Sequence, residues 1–428
     1  MTHFGWSDGV ASASLCDKLN DLGMDSTVPK PAVIKGWEQL HFHYFPEGQL
    51  SRLRAKWGEL KICTEQPKLA DIACCVTSPV AYRGKRVAGV YDANNSLIPC
   101  SARFRGKDRR VDGVLNCDDL VDAVEDRRDA YYLGRGECHY GHFILEVLSR
   151  AWAWREHGRD RVPVLQLAIP PFALALCGLI PGLAERLDII RTPTRFRNML
   201  VPAPGFVIAR EAYIEFKRMC EQMAEQANVC SGPVTEQPLY LSRAGLNWNR
   251  RTIEGEVFLE HALEKEGFII VRPETLPVAE QIALVNRHRW IVSPEGSACH
   301  TRLFSRIPTH FVTITSSYLN PNYILCDLLC EGTSHYLNAL VTPQIGTKTR
   351  LGKFLEPVAL DRARILGALN QLGLVRSSAV SDAPPPDLNE YKLRWIEAAR
   401  SRIKRKPDDE KKIFEGIDEV NASLNETE

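Results

Sequence analysis

His142 and Glu146 stand four residues apart in the segment HYGHFILE. At helical spacing both fall on one face, where a carboxylate can orient an imidazole and raise its basicity. Such a pair suits a general base, which needs a fixed tautomer. The plain alternative is a half-buried histidine satisfied by a nearby backbone group. His139 lies three residues before His142, but two histidines without further ligands do not make a metal site. Asp118, Asp119 and Asp122 form no strand-flanked DxD. The expectation is chemistry without a metal or other cofactor.

A second set begins at Arg243, which directly follows the apolar run LYLS. That is the carboxyl end of a strand, where open α/β sheets bind ligands. Arg250 and Arg251 come just before a helical pattern whose first turn carries Glu254 and Glu256. Guanidinium groups stay charged and grip phosphate oxygens in pairs, so arginines so placed suit a diphosphate. Further on, Pro294-Glu295-Gly296-Ser297-Ala298 joins the strand WIVS to a helix. Gly296 and Ser297 let a ligand approach the backbone, and the N–H groups of a helix start favour anions. Glu295 could bind ribose hydroxyls or assist the chemistry, and His300, one turn on, faces either a cleft or the core. Ordinary surface arginines and a plain strand-to-helix turn are the alternatives.

These residues need a frame, and the sequence supplies an alternating one. From Tyr131 the chain reads as a helix (HYGHFILEVLSRAWAWREHG), a strand (VPVLQLAI), a helix (PPFALALCGLI) and two further strands (RLDIIRT, NMLVPAP). Before that it reads as irregular segments and short strands, with a hairpin turn at Asp92-Ala93-Asn94-Asn95. After the turn-rich CSGPVTEQP a second alternation starts at LYLS and runs through HFVTITS. The reading is α/β, with an N-terminal α/β domain over 1–230 and a Rossmann-like domain over 231–376. Residues 377–428 are a linker and a charged helical tail. Two Rossmann-like domains facing a cleft outline the GT-B type of glycosyltransferase, a fold-level analogy.

Composition narrows the class. At 428 residues the chain suits two domains, and 44% apolar with 25% charged residues is usual for a soluble protein. A formal net charge of +1 gives no field for nucleic acid. The first residues show no signal peptide. The longest apolar stretch, from Pro170 to Leu183, is too broken to span a bilayer. Thirteen cysteines, an odd number with no CxxC pair, point to reduced buried thiols and a cytoplasmic protein. The segment KLRWIEAARSRIKRK, Lys392 to Lys406, reads either as a basic helix resting on anionic lipid at the inner membrane or as a solvated helix packed on the N-terminal domain.

Taken in order, these pieces resemble glycosyltransferase family 61, the family found in capsular polysaccharide proteins. HYGHFILEVLSR stands against a pattern near NYGHFLLDTLPR, and LYLSR with RRTIEGE against YxSR and RRxxNExE. The segment GFIIVRPETLPVAEQI follows, then SPEGSACHTRLF against HGSALxNxxF. The likeness covers about residues 80 to 320. His139 and Gly255 stand where the family often has Asn. Glu295 stands where eukaryotic members have a histidine, with His300 downstream. The resemblance implies an inverting, metal-independent GT-B enzyme of the bacterial branch, acting on a nucleotide sugar and a glycan or lipid-linked glycan acceptor. His142 with Glu146 would be the base, with Glu295 or His300 as the weaker choice. Arg243, Arg251, Gly296, Ser297 and His300 would hold the donor. A reading from another class is a catalytically inactive nucleotide- or glycan-binding partner in polysaccharide assembly.

Overall fold

The computed structural model describes residues 37–77, 81–82, 85–106, 109–113, 123–227, 233–246, 253–316, 318–341, 358–381, 388–405, 414–415, 417–418 and 420–421. The chain forms two compact units. The first holds the described residues of 59–226 with 324–329, and the second those of 35–58, 227–323 and 330–428. Both are mixed α/β with parallel sheets.

The first unit is built on a six-stranded sheet in the order Asp188–Ile189, Val162–Leu165, Val124–Tyr132, Thr194–Pro202, Leu69–Thr77, Val90–Tyr91. The first four strands run parallel, while the last two pairings are antiparallel. Tyr132, Val164, Phe196 and Met199 meet in its core. The expected turn after Tyr91 is present. The Asp92 carboxylate accepts from the N–H groups of Asn94 and Ser96 at 2.9 and 2.8 Å, and Asn95 takes the left-handed conformation that Asn tolerates.

The helical segment over 140–158 is less regular than its sequence predicts. It opens as one α-turn at Tyr140–His142 and widens into π-turns at Phe143–Val147. It then tightens to 3-10 over Leu148–Ala153 and widens again over Trp154–Gly158. Burial on nearly all sides explains this, since every residue from Phe143 to Trp154 is buried and packing overrides the local ladder. Gly158 closes it, because a Cβ there would lie within 2.4 Å of the Trp154 ring.

The second unit has a six-stranded sheet in which every pairing is parallel. Its order is Leu40–His43, Ser334–Asn338, His310–Thr315, Trp290–Pro294, Leu239–Leu241, Ile269–Val271. Leu40–His43 lies within the 1–230 stretch that the sequence reading gave to the first domain. It pairs instead with Ser334–Leu337 and counts with the second unit. The tail also departs from expectation. Ser377–Ser381 is helical rather than linker, and the helix Leu388–Arg405 buries Tyr391, Trp395, Ile396 and Ala399 against Ala359, Ile417 and Val420. Its apolar stripe thus has a core, despite its charge. Among the described residues no helix is long and apolar enough to cross a membrane.

One face of this sheet carries a histidine cluster near the strand starts. The His41 and His335 rings stack with centroids 4.8 Å apart, and His43 Nε2 lies 3.2 Å from His335 Nδ1. His310 stacks on Trp290 at 4.3 Å, and its Nδ1 lies 2.6 Å from Thr333 Oγ1. Burial and the neighbouring histidines push His335 down to about 3, and burial first of all lowers His43 and His310 too. With folded values below the ordinary 6.5, the unfolded chain takes up protons first. The cluster's stability is complete above about pH 6.5 and is lost as pH falls toward the folded values. Thermal melts should therefore show the melting temperature dropping from pH 7 to pH 5. A His335→Phe variant, which keeps a ring in the stack, should drop less. Equal slopes would show that the cluster does not titrate on unfolding.

Candidate functional site

In the first unit the geometry centres on Glu146. His142 Nδ1 lies 2.9 Å from its Oε2, so the pair expected from the i,i+4 spacing is formed. Two arginines absent from the sequence reading complete it. Arg105 Nε and Nη2 donate to the two carboxylate oxygens at 3.0 and 2.8 Å, and Arg103 Nη1 lies 3.7 Å from Oε2. Arg103 also grips Asp112 with two hydrogen bonds at 2.6 and 2.8 Å and donates to Glu137. Arg135 stands 3.5 Å from Asp112. Three guanidinium groups face three carboxylates, so the buried charges are paired. Burial would raise the Glu146 carboxyl, but hydrogen bonds from His142 and Arg105 and the Arg103 charge outweigh it and hold it at about 2.

Arg150 explains how Arg103 and Arg105 reach this helix. The residue is 1% exposed, and its guanidinium donates to the carbonyls of Cys100 and Pro202 at 2.6 and 2.7 Å and of Ala102 at 3.2 Å. It therefore clamps the strand entry just before Arg103 onto the turn after Glu146. Glu146, Arg103, Arg150 and Phe206 line a cavity of about 10 Å³, which is room for one water.

The tautomer of His142 follows from competing contacts. Its Nδ1 also lies 3.3 Å from Arg105 Nη2. A lone pair on Nδ1 would face the Glu146 carboxylate at 2.9 Å, acceptor against acceptor. A proton there gives a charge-assisted bond at that distance, against a donor–donor contact at the longer one, and is favoured. Nε2 then carries the lone pair, and the ring is 34% exposed. This group can accept a proton from a hydroxyl.

In the second unit Arg243, Glu295 and Gly296 come together at the carboxyl ends of Leu239–Leu241 and Trp290–Pro294. Arg243 Nη1 donates to the Glu295 carbonyl at 2.7 Å. A Cβ on Gly296 would sit 2.1 Å from that same nitrogen, so glycine lets the guanidinium lie across this strand end. The Glu295 carboxylate accepts from Thr315 Oγ1 at 2.7 Å. Ser297 begins the short 3-10 helix Ser297–Phe304, and its carbonyl lies 3.1 Å from His300 Nδ1. His300 is 6% exposed, with its ring against Tyr323. Its place is therefore in the packed wall behind the turn. Arg251 falls outside the described residues.

Glu256, which the sequence places in a first helical turn, proves central to the Arg243 end. It opens the helix Glu256–Lys265 and is 2% exposed. Its Oε1 accepts from the Arg243 backbone N–H at 2.7 Å, the Tyr240 hydroxyl at 3.1 Å and the Ser242 hydroxyl at 3.4 Å. An acid in a first helical turn looks like dipole complementation, so sequence spacing hid this inward role.

No curated protein matches the chain significantly. Among solved structures it is similar to the crystal structure of the bacterial iron-containing dodecameric glycosyltransferase TibC from enterotoxigenic E. coli H10407. That similarity has 11% identity, 71% of this chain, 92% of that one and a TM-score of 0.28, too low to carry any argument. The family model described as Glycosyltransferase 61 matches residues 140–312. That stretch opens at the helix carrying His142 and Glu146 and includes Arg243, Glu256 and the Glu295–His300 turn. Over that stretch the chain is similar to glycosyltransferase family 61.

Proposed function

We propose that the protein is an inverting, metal-independent glycosyltransferase of the GT-B type, acting in capsule or other surface polysaccharide synthesis in the cytoplasm. It moves a sugar from a nucleotide-sugar donor to a hydroxyl of a glycan or lipid-linked glycan. The observation that carries this reading is the His142–Glu146 pair, with Nδ1 turned onto the carboxylate and Nε2 left to act. His142 Nε2 takes the acceptor proton as the oxygen bonds to the anomeric carbon. The bond from that carbon to the phosphate oxygen breaks, and its electron pair leaves with the nucleoside diphosphate. Arg243 and Arg251, with the turn at Gly296 and Ser297, meet the charge that develops there, so cationic side chains do what a metal does elsewhere.

The test is a screen of nucleotide sugars against glycan acceptors, reading released nucleoside diphosphate and donor binding by calorimetry. Release that depends on acceptor, with inversion at the anomeric carbon, is expected for at least one donor. Binding without turnover across the screen would point instead to an inactive partner in polysaccharide assembly. Failure of every nucleotide sugar to bind would end the donor-site reading.

A further inference from the structure

We infer that Glu256 is a positioning residue that takes up a proton as the donor binds, coupling the Arg243 clamp to pH. This rests on the reading of Arg243 as the diphosphate arginine. Three observations carry it. One Glu256 oxygen holds the backbone N–H of Arg243 at 2.7 Å, together with the hydroxyls of Tyr240 and Ser242. The other oxygen, Oε2, is buried and has no hydrogen-bond partner among the described residues. The residue as a whole is 2% exposed, so water does not compensate the carboxyl. An ionised carboxylate in that position leaves one oxygen unsolvated, which favours the neutral acid.

The surrounding charges point the same way. Along the helix, Glu260 adds negative charge one turn on, and its own partner is Arg272, at 2.9 Å beyond the strand Ile269–Val271. On the Leu239–Leu241 side the facing groups are Tyr240, Ser242 and Arg243. Burial raises the Glu256 carboxyl to about 7, against the lowering effect of the Arg243 N–H, the Arg243 charge and the Tyr240 hydroxyl. A diphosphate held by Arg243 brings negative charge to the cation that partly offsets this acid. The charged form of Glu256 becomes costlier, so the acid takes a proton from solvent as the anion arrives. Affinity for donor then falls as pH rises, because the proton has to be supplied from a scarcer pool. A nucleotide sugar suits the measurement, since its diphosphate, esterified at both ends, has no proton to exchange near neutral pH.

Calorimetry at pH 7.5 in buffers of different ionisation enthalpy, with each nucleotide sugar of the donor screen that binds, reads the proton directly. The wild-type protein should take up a fraction of one proton per donor. Its affinity should fall with pH between 6.5 and 8.5, at most about tenfold per unit for one proton. Glu256→Gln keeps the shape and the acceptor for Arg243 N–H, and should abolish both the uptake and the pH slope. Glu260→Gln should retain both, and so should His142→Ala, which excludes the histidine as the proton's destination. Wild-type binding without proton uptake overturns the inference and leaves the donor reading standing, and that measurement needs no variant to fold. Uptake that survives Glu256→Gln overturns it as well. If no nucleotide sugar binds at all, it is the donor reading that fails.

Discussion

His142→Ala lowers sugar transfer by about 10²- to 10⁴-fold, the usual worth of a positioned general base, while donor affinity stays near that of the wild type. The geometry argues for so clean an effect. Removing the imidazole does not orphan Glu146, because Arg105 continues to donate to both of its oxygens at 3.0 and 2.8 Å. No unpaired buried charge is created, so the large stability cost of such a charge does not arise. The ring is partly exposed and stands outside the apolar core. Donor contacts on Arg243 lie in the other unit and are untouched. A single-turnover measurement with saturating donor therefore reads the chemistry alone. Glu146→Gln should act in the same direction but less, since the amide oxygen can still accept from Nδ1 while the charge that stabilises the protonated ring is gone. Transfer at the wild-type rate by His142→Ala would remove the histidine from the mechanism and return attention to Glu295. His300 is a poorer substitute, because it is 6% exposed and faces the Ser297 carbonyl and the Tyr323 ring.

Much of the donor-side frame was legible because it is local. The apolar run LYLS followed by Arg243, the strand WIVS followed by a glycine turn, and the i,i+4 spacing of His142 and Glu146 each encode geometry within a few residues. What stayed hidden depends on long-range contact. Arg105 reaches Glu146 across 41 positions, and nothing near either residue announces the other. Leu40–His43 joins the second sheet by pairing with Ser334–Leu337, and a four-residue edge strand carries too little pattern to place it. The π- and 3-10 turns after His142 have a related cause. The hydrophobic spacing predicts a helix, but only burial on every side decides how evenly it winds. Glu256 stayed hidden for the opposite reason, since an acid in a first helical turn has a ready surface explanation that the buried residue does not obey.

Arg243→Ala should raise the donor KM by roughly 10- to 10²-fold, the range expected when a charged hydrogen-bond donor to an anion is removed. Gly296→Ala should approach the same loss from the opposite side. The Gly296 backbone is extended, with φ at 176°, a conformation open to any residue, so no backbone strain is added. Its added Cβ would meet Arg243 Nη1 at 2.1 Å, the far end of a flexible side chain. The guanidinium can therefore swing away, at the cost of its bond to the Glu295 carbonyl, while the fold survives. Both substitutions act through the same side chain, so they cannot add. Once Arg243 is alanine, the extra methyl at 296 has nothing to displace, and the double variant should bind donor about as poorly as Arg243→Ala alone. Independent sites add to within about 0.5 kcal/mol, whereas residues in contact do not. A double-mutant cycle on donor affinity, with melting temperatures as the control for folding, decides the matter. Additive losses would mean that Gly296 serves the ligand by some path other than Arg243, and the guanidinium lying across the strand end would lose its claim to the diphosphate.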